Sequence, residues 1–600
     1  MEGNKKLLKR EEVPDNYKWR LEDIYDDEGK WEDDFNKIRE IIPEISRYQG
    51  KLGETAQNLF QCLSLQDEMG KLLDKVFVYA QMRKDENNAH PKYQGMRDRA
   101  QSLMVSGAEA TAFIQPEILA IPALVLNNYF SEEPRLALYK HYIEDITRTK
   151  DHTLSPEEER IIAMSGEIGM GPKNIFGMLN NADIKFPEIT DEEGDQVAIT
   201  HGNYIQFMES PDRRVRMDAF QGLYGTYEKQ RNTLAALLNA SVKKDVFYAR
   251  VRNYHSALEA SLDDDNVPVS VYDNLIQTVR SHLPLFYRYM VLRKKILGVP
   301  ELHMYDIYAP LVSEVKKKTP YEKAVRMVEE GVQALGSQYL ADLRQGLSSG
   351  WIDVMENEGK TSGAYSWGAY GTHPYVLLNY HENLNNVFTL AHEMGHAMHS
   401  YYSWKTQPYV YGYYKIFVAE VASTVNETLL TRYLLENASN KEEKMYIINH
   451  YLEEFRGTVF RQTMFAEFEK IIHQKVEAGE ALTTESLCQI YTELNRDYYG
   501  PNVVIDKEIS LEWSRIPHFY NAFYVYKYAT GFSAASALAR AILEEGRPAG
   551  DRYLEFLKLG GSDYPINQLK KAGVDMNRPE PIIEALQVFE QMLDEMEELL

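Results

Sequence analysis

Apolar residues recur every three or four positions along most of this 600-residue chain. Charged residues fill the positions between them, which is the pattern of a helix with one buried and one solvent-facing side. The clearest stretches are Lys71–Met82, Gln101–Phe113, Pro211–Val246 and Ser270–Leu297. Prolines near the starts of such stretches, where a helix leaves its N–H groups unbonded, fit the same interpretation: Pro156, Pro211 and Pro268. The sequence therefore predicts a mainly α-helical protein.

Strand signals are few. In Asp183–Ile199, two apolar runs flank an acidic turn that contains glycine, which predicts a β-hairpin. A second run, Pro374–Tyr380, is rich in aromatic and branched residues and predicts a short strand. We interpret this strand either as an edge strand, able to pair with another extended backbone, or as a plain structural strand.

The length of the chain exceeds what one hydrophobic core usually organises, so we expect two or more lobes. The sequence shows no repeat of fixed period and no low-complexity tract. We expect a helical N-terminal domain over residues 1–185, which ends at the predicted hairpin, and a larger second domain over residues 186–600.

The chain is acidic, with 66 Lys and Arg against 90 Asp and Glu and a formal net charge of −24. This charge argues against nucleic acid and anionic membranes as partners. Cys62 and Cys488 form no disulfide framework, which fits a reducing compartment. Met1–Asp15 lacks the apolar core of a signal peptide, and no run of about 18 apolar residues occurs. We therefore expect a cytoplasmic protein.

The most informative segment is Phe388–Ser400, which contains His-Glu-Met-Gly-His at 392–396. Two histidines four residues apart stack on one face of a helix, where both can bind one metal ion. Glu393 then lies beside the metal and can take a proton from water held there. The alternative is two histidines on a solvated helix face.

A catalytic zinc site usually has three protein ligands. One zincin class takes its third histidine at a position where this chain has Tyr402, so that class is excluded. His399 lies about 10 Å along the helix axis from His392 and is better interpreted as a packing residue. The first carboxylate after the motif is Glu420, on a predicted second helix that runs back past the first. Glu420 is therefore the predicted third ligand.

Glu427 lies two helical turns beyond Glu420. Its carboxylate could accept the free ring N–H of a ligand histidine, or it could be a surface charge.

The segment from His518 to Gly531 contains Tyr520, Tyr524 and Tyr528, which recur every four residues and would line one helix stripe. Phenol and imidazole donors commonly stabilise the negative charge that develops on a scissile carbonyl oxygen. A stripe of this kind is also common in ordinary helix cores.

Several further segments make the pattern specific to one family. They are Lys-Trp-Arg-Leu-Glu-Asp-Ile-Tyr at 18–25, Leu-Glu-Ala-Ser-Leu at 258–262, Ser-Gly-Ala-Tyr-Ser at 362–366, Ala-Glu-Val-Ala-Ser-Thr-Val-Asn-Glu at 419–427 and Gly-Gly-Ser at 560–562. With these and the His392 motif, the chain resembles the oligoendopeptidase F family of thimet-oligopeptidase-like zinc metallopeptidases over nearly its whole length. The motif residues His392, Glu393, His396 and Glu420 show no departure from the family.

The resemblance implies a mainly α, two-lobed helical shell around a deep substrate channel, with a small β element beside the zinc helix. It implies one Zn²⁺ ion, held by His392, His396 and Glu420, and oligopeptides as substrates. It also implies that His518 and Tyr524 contact the substrate carbonyl, with Tyr520 and Tyr528 as alternatives to Tyr524. A Gly-Gly-Ser loop like 560–562 is flexible in the family.

The predicted function is hydrolysis of internal bonds in short, unstructured peptides, with Glu393 as general base. Three alternatives remain: a metallo-carboxypeptidase on the same scaffold, a non-catalytic peptide-binding protein, and a structural zinc site. An exopeptidase needs a cationic anchor for the terminal carboxylate, and the sequence identifies none. Structural zinc sites usually have four ligands, often cysteines, which are absent from this motif.

Overall fold

The computed structural model describes residues 7–312 and 318–600 of the chain. Helices dominate these residues, as the periodicity predicts. In chain order they are α1 Glu28–Ser46, α2 Ala56–Glu86, α3 Pro91–Thr111, α4 Ile114–Ala120, α5 Ala123–Glu132, α6 Lys140–Arg148, α7 Pro156–Gly169, α8 Gly171–Met178, α9 Tyr204–Met208, α10 Arg213–Val251, α11 Ala257–Asp263, α12 Val269–Ser281, α13 Leu283–Leu297, α14 Tyr321–Gly331, α15 Ser337–Ser348, α16 Leu384–Thr406, α17 Ile416–Glu436, α18 Lys441–Glu454, α19 Arg461–Glu477, α20 Thr484–Tyr499, α21 Tyr526–Glu545, α22 Arg547–Leu557, α23 Pro565–Ala572 and α24 Glu580–Glu598.

The four predicted helical stretches lie on helices of the structure, with two ends that differ by two residues and one internal break. The stretch Ser270–Leu297 is divided between α12 and α13 at His282, which caps both helices. Pro284 lies in the first turn of α13, where it has no N–H to offer a continuing helix. The periodicity therefore identified the helical stretch and missed the break.

The strands are short: β1 Glu188–Thr190, β2 Gln196–Ala198, β3 Leu302–His303, β4 Ile352–Asp353, β5 Tyr365–Trp367, β6 Tyr375–Leu377 and β7 Val503–Val504. Strands β1 and β2 pair antiparallel, which confirms the hairpin predicted within Asp183–Ile199. Strands β3 and β7 form a parallel pair.

Strand β6 confirms the strand predicted within Pro374–Tyr380, but the interpretation of that strand as an edge is wrong. The sheet order is β4-β6-β5, so β6 pairs with β4 on one side and with β5 on the other. All three residues of β6 are buried. Both of its edges are occupied, and β5 is an edge strand of this sheet instead.

The chain groups into two compact units, each drawn from three segments. The first unit contains residues 1–151, 316–433 and 538–573, and the second contains residues 152–315, 434–537 and 574–600. The predicted boundary between residues 185 and 186 lies within the second unit and stays a prediction, as does the predicted channel.

The first unit is built around a core shared by α1, α2, α3 and the β5–β6 edge of the three-stranded sheet. Buried rings and aliphatic chains from the three helices meet two of the β6 side chains there, Tyr375 and Leu377. Helix α16 packs against β5 and β6. The core therefore fixes the sheet, and the sheet fixes α16, which carries the His392 motif.

In the part of the chain that the structure describes, no single helix has the length and apolar composition needed to cross a membrane. The segment Pro91–Ala120 with α5 passes such a test only as a pair bent by 108°.

Candidate metal centre

Helix α16 presents His392 and His396 on one face. The helix begins after Asn383, whose side chain accepts a hydrogen bond from the backbone N–H of Asn386 at 2.9 Å. The four-residue spacing brings the two imidazoles together, and their Nε2 atoms lie 3.2 Å apart. This is the arrangement predicted from the motif.

Gly395 allows the next helix to pass close to this face. A Cβ atom at this position would lie 2.6 Å from the carbonyl oxygen of Ala422 and 2.6 Å from the Cα of Ser423, both on α17. Backbone atoms this close leave no space for a side chain, so α16 and α17 can meet here only over glycine. The role of Gly395 was not predicted from the sequence, although its place between the two histidines was a signal.

The close approach places the Glu420 carboxylate beside both histidines. Its Oε2 atom lies 3.5 Å from His392 Nε2 and 3.4 Å from His396 Nε2. The three side chains are partly exposed, and their candidate ligand atoms all lie within 4.8 Å of one another. The structure therefore brings together the three residues that the sequence predicts as metal ligands.

These separations match what a tetrahedral zinc ion would require. With bonds of about 2.0–2.1 Å, neighbouring ligand atoms in such a site lie about 3.3 Å apart. The observed separations are 3.2, 3.4 and 3.5 Å. Two imidazole nitrogens and one carboxylate oxygen are also a donor set of catalytic zinc sites. The residues present therefore fit a zinc ion.

Polar contacts on α17 hold the carboxylate and its helix in place. The Ser423 hydroxyl, which is fully buried, donates toward Glu420 Oε2 at 3.2 Å. The Asn426 amide donates to the backbone oxygen of Ala391 at 3.1 Å and accepts from the Tyr339 hydroxyl at 3.0 Å. These contacts were not predicted from the sequence, because Asn426 bonds to residues distant in sequence and the Ser423 contact depends on where the Glu420 side chain points.

Glu427 contacts the other nitrogen of His392. Its Oε2 lies 3.2 Å from His392 Nδ1, as expected for a residue two turns beyond Glu420 on the same face. Burial alone would lower the pKa of His392, but the neighbouring Glu427 carboxylate raises it to about 9. Burial would raise the pKa of Glu420, but His396 and His392 lower it to about 2. This geometry matches the interpretation in which Glu427 accepts the free ring N–H of a ligand histidine, and not the one in which it is a surface charge.

Glu393 is buried beside the cluster, with 8% of its surface exposed. Burial raises the pKa of its carboxyl group, and the imidazoles of His392 and His396 oppose the shift. A buried carboxyl group next to the candidate metal ligands is suited to accept and return a proton.

His399 does not join the cluster. Its ring is 1% exposed and stacks on Tyr414, with ring centroids 3.7 Å apart and planes 3° from parallel. Burial lowers the pKa of His399 to about 3. It is the packing residue that the helix geometry predicts.

In the second unit, His518 lies with two of the three tyrosines. The ring centroid of His518 is 6.2 Å from that of Tyr524 and 6.1 Å from that of Tyr528. Tyr520 is buried instead, and its ring stacks on Phe176 at 4.4 Å. Burial lowers the pKa of His518, and the Arg461 guanidinium lowers it further.

The prediction that the three tyrosines line one helix stripe is wrong. Tyr520 ends a 3₁₀ turn, Tyr524 lies in the connection that follows, and Tyr528 lies in the first turn of α21. The connection breaks the helical spacing, so the recurrence every four residues does not place the three rings on one face.

The Gly-Gly-Ser loop at 560–562 packs on the segment between α16 and α17. The Gly561 N–H donates to the Tyr411 carbonyl at 2.9 Å, and the Gln568 amide donates to the Gly560 carbonyl at 2.7 Å. The flexibility that the resemblance implies for this loop stays a prediction.

Known proteins match this chain along nearly its whole length. Residues 206–588 match the sequence model of peptidase family M3, and residues 117–186 match that of oligopeptidase F. Oligopeptidase PepF of Bacillus subtilis (strain 168) is 52% identical over 594 residues, which cover 99% of this chain and 89% of that protein. The plasmid oligoendopeptidase F of Lactococcus lactis subsp. cremoris is 42% identical and covers 98% of both chains.

A solved structure also matches. The oligoendopeptidase-F crystal structure from Enterococcus faecium superposes with a TM-score of 0.75 and 41% identity, covering 95% of this chain and 99% of that one. Sequence identity at this level over nearly the whole chain shows that the proteins share both the fold and the class of enzyme. The chain therefore belongs to peptidase family M3 and is a metalloendopeptidase.

Proposed function

We propose that this chain is a zinc-dependent endopeptidase that hydrolyses internal peptide bonds of short, unstructured oligopeptides. The observation that carries the proposal is the convergence of His392 Nε2, His396 Nε2 and Glu420 Oε2, with a buried Glu393 beside them. Relatives named oligopeptidases and oligoendopeptidases support the class of substrate.

We assign His392, His396 and Glu420 as the ligands of one zinc ion. Three protein ligands are typical of catalytic sites, whereas structural zinc sites usually have four. When bound, a zinc ion supplies Lewis acidity, which polarises a carbonyl group and acidifies water.

Glu393 is the proposed general base. It is buried next to the ligands and is not one of the converging groups, so its carboxylate is free to accept the proton of the attacking water. The same carboxyl group then delivers that proton to the nitrogen of the leaving amine. Glu393 is a carboxylate before the first proton transfer and a carboxylate again after the second, so one residue serves both transfers.

His518 and Tyr524 are the proposed donors to the scissile carbonyl oxygen as it gains negative charge. The family resemblance and the grouping of their rings support this assignment. Tyr528 is the alternative donor. Tyr520 is disfavoured, because its ring is buried against Phe176.

The proposed substrate strand pairs with β5. In the described residues, the backbone of β5 hydrogen-bonds only to β6, so its outer edge offers unpaired N–H and C=O groups. Backbone pairing tolerates many side chains, which suits an enzyme for varied peptides.

One experiment separates this function from its alternatives. A peptide blocked at both ends is incubated with the zinc-loaded protein, with and without chelator, and the products are weighed by mass spectrometry. We expect internal cleavage that chelation abolishes and added zinc restores. Cleavage confined to peptides with a free C-terminus would indicate a carboxypeptidase, and zinc-dependent binding without cleavage would indicate a non-catalytic binding protein.

The Glu393→Gln variant tests the role of the base. It keeps the shape of the side chain and should retain one zinc ion, while turnover falls by about 10²–10⁴-fold. Near-normal turnover with full zinc content would show that another group accepts the proton.

A further inference from the structure

A cavity of about 350 Å³ lies in the first unit, beside the segment that joins the two ligand-bearing helices. Its wall is mostly apolar and aromatic and is formed by α2, α3, the Tyr409–Tyr413 segment, Tyr139 and Tyr142. The residues that matter here are Leu63, Met69, Leu73, Met104, Tyr409 and Tyr413. A cavity of this size and character is typical of a small-molecule site rather than of a packing defect.

One carboxylate lines this apolar cavity. Asp67 accepts a hydrogen bond from the Tyr139 hydroxyl at 2.9 Å and makes no ion pair within the described residues. The nearby Lys71 ammonium lies instead over the rings of Tyr370 and Tyr409, at 5.8 and 5.9 Å from their centroids. Burial raises the pKa of Asp67 to about 6, because these partners only partly offset the loss of water. At neutral pH the cavity therefore holds an incompletely neutralised negative charge.

The cavity is bounded by a glycine in the middle of a helix. Gly70 lies within α2, where an alanine would favour the helix by about 1 kcal/mol. A Cβ atom on Gly70 would lie 2.6 Å from the Cε1 atom of the Tyr409 ring. The glycine therefore lets the Tyr409 ring lie against α2 at the cavity, at a cost in helix stability.

The same tyrosine segment connects to the candidate metal centre. Helix α16 ends at Thr406 and α17 begins at Ile416, so residues 407–415 join the helix of His392 and His396 to that of Glu420. Ser403 of α16 donates to the carbonyl of Gly412 at 2.5 Å, and the Tyr413 hydroxyl donates to Asp74 of α2 at 2.7 Å. A shift of this segment therefore acts on both ligand-bearing helices.

We propose that this cavity binds a small apolar ammonium ion, with the cation paired to Asp67 and the apolar part among the tyrosines and leucines. Aromatic faces add cation–π attraction for such a ligand. An amino acid amide, the amino end of a short peptide and a simple aryl-alkylamine share this chemistry. Occupancy fixes the Tyr409–Tyr413 segment and thereby changes how tightly zinc is held, a consequence that rests on the proposed metal centre.

The probe is 2-phenylethylamine, with neutral 2-phenylethanol and anionic phenylacetate as matched controls. Calorimetric titration of the full-length, zinc-loaded protein should show saturable binding of the amine, at least tenfold tighter than either control. Asp67→Asn should weaken the amine at least tenfold and leave 2-phenylethanol unchanged. Equal binding of amine and alcohol, or full binding by Asp67→Asn, would overturn the proposal.

A second variant tests the location. Ala108 lines the cavity from an exposed position on α3, so Ala108→Phe should fill the space while leaving the Asp67 side chain itself unchanged. It should block the amine while the thermal midpoint stays near that of the wild type, and unchanged amine binding would place the site elsewhere. A failure of peptide hydrolysis would leave this binding result intact, so the two proposals fail separately.

The link to the metal is measured as the rate of zinc release to a chelator. Saturating 2-phenylethylamine should change that rate at least twofold in the wild type and not in Asp67→Asn. Binding without any change in zinc release would disprove the coupling.

Discussion

The Nδ1 atom of His392 lies 3.2 Å from Oε2 of Glu427, while its Nε2 atom lies 3.5 Å from Oε2 of Glu420. Both carboxylates belong to α17, so one helix contacts the two ring nitrogens of one imidazole. With a proton on Nδ1, assigned from the Glu427 contact, the imidazole would turn Nε2 toward a metal ion, which would displace the second ring proton. Helix α17 therefore supplies both a candidate ligand and the group that orients another.

Replacing Glu427 should weaken zinc binding. In Glu427→Ala the ring of His392 loses its orienting acceptor, and we expect zinc affinity to fall about 10–100-fold. Glu427→Gln keeps an acceptor oxygen and should lose less. Competition with a coloured chelator measures both. Glu436→Ala, an exposed carboxylate at the end of the same helix, is the control and should bind zinc normally. A Glu427→Ala variant with normal affinity would reduce this contact to packing.

Gly395→Ala should separate the two helices. The added Cβ would meet backbone atoms of α17 at 2.6 Å, which cannot move independently of Glu420. We expect a loss of about 1–3 kcal/mol in stability together with weaker zinc binding. Thermal unfolding and zinc content measure the two effects. Gly95→Ala, in α3 with no heavy atom near the added Cβ, is the matched control and should be neutral or stabilising.

Local spacing explains what the sequence could predict. The four-residue interval of His392 and His396 requires only a helix, and the stretch without carboxylates before Glu420 left one candidate on the next helix. The edge position of β5 could not be predicted, because it depends on the two-residue strand β4 occupying the other side of β6. Likewise, the break before α21 depends on the conformation of Phe523 rather than on apolar periodicity. Sequence periodicity shows which face of a helix or strand is apolar. It does not show which other elements pack against that face.

The stability difference between Asp67→Asn and the wild type should depend on pH. The pKa of Asp67 is raised to about 6 in the folded chain, against about 4 when unfolded. Its contribution to stability is therefore fully present below about pH 4 and is lost as the pH rises through about 6. The variant stays neutral, so it should gain about 1–2 kcal/mol relative to the wild type between pH 4.5 and 7.5, after allowance for partial exposure.

Differential thermal unfolding at the two pH values measures this change. The variant's thermal midpoint, relative to that of the wild type, should rise by about one to three degrees at the higher pH. Asp33→Asn, on the exposed side of α1, should show no such trend. A difference that is independent of pH would mean that Asp67 is solvated in the folded protein.

A buried carboxyl group holds the turn that precedes Tyr524. Oε1 of Glu469, which is fully buried, accepts the backbone N–H of Phe523 at 2.9 Å. Phe523 has a φ of +59°, a left-handed conformation that a bulky residue adopts only when its surroundings enforce it. Its ring is 1% exposed and lies against His473, with centroids 4.4 Å apart. The strained turn sets where the next residue, Tyr524, points.

Glu469→Ala should therefore lower kcat through Tyr524. The unpaired N–H and the cavity favour relaxation of the turn, and we expect kcat to fall about tenfold or more, with unchanged zinc content. Glu469→Gln retains an acceptor oxygen and should recover most of the rate. In a Tyr524→Phe background, Glu469→Ala should cost little more, because both changes remove the same interaction. If the two losses multiply instead, Glu469 affects kcat independently of Tyr524, and Tyr524 is positioned by other contacts.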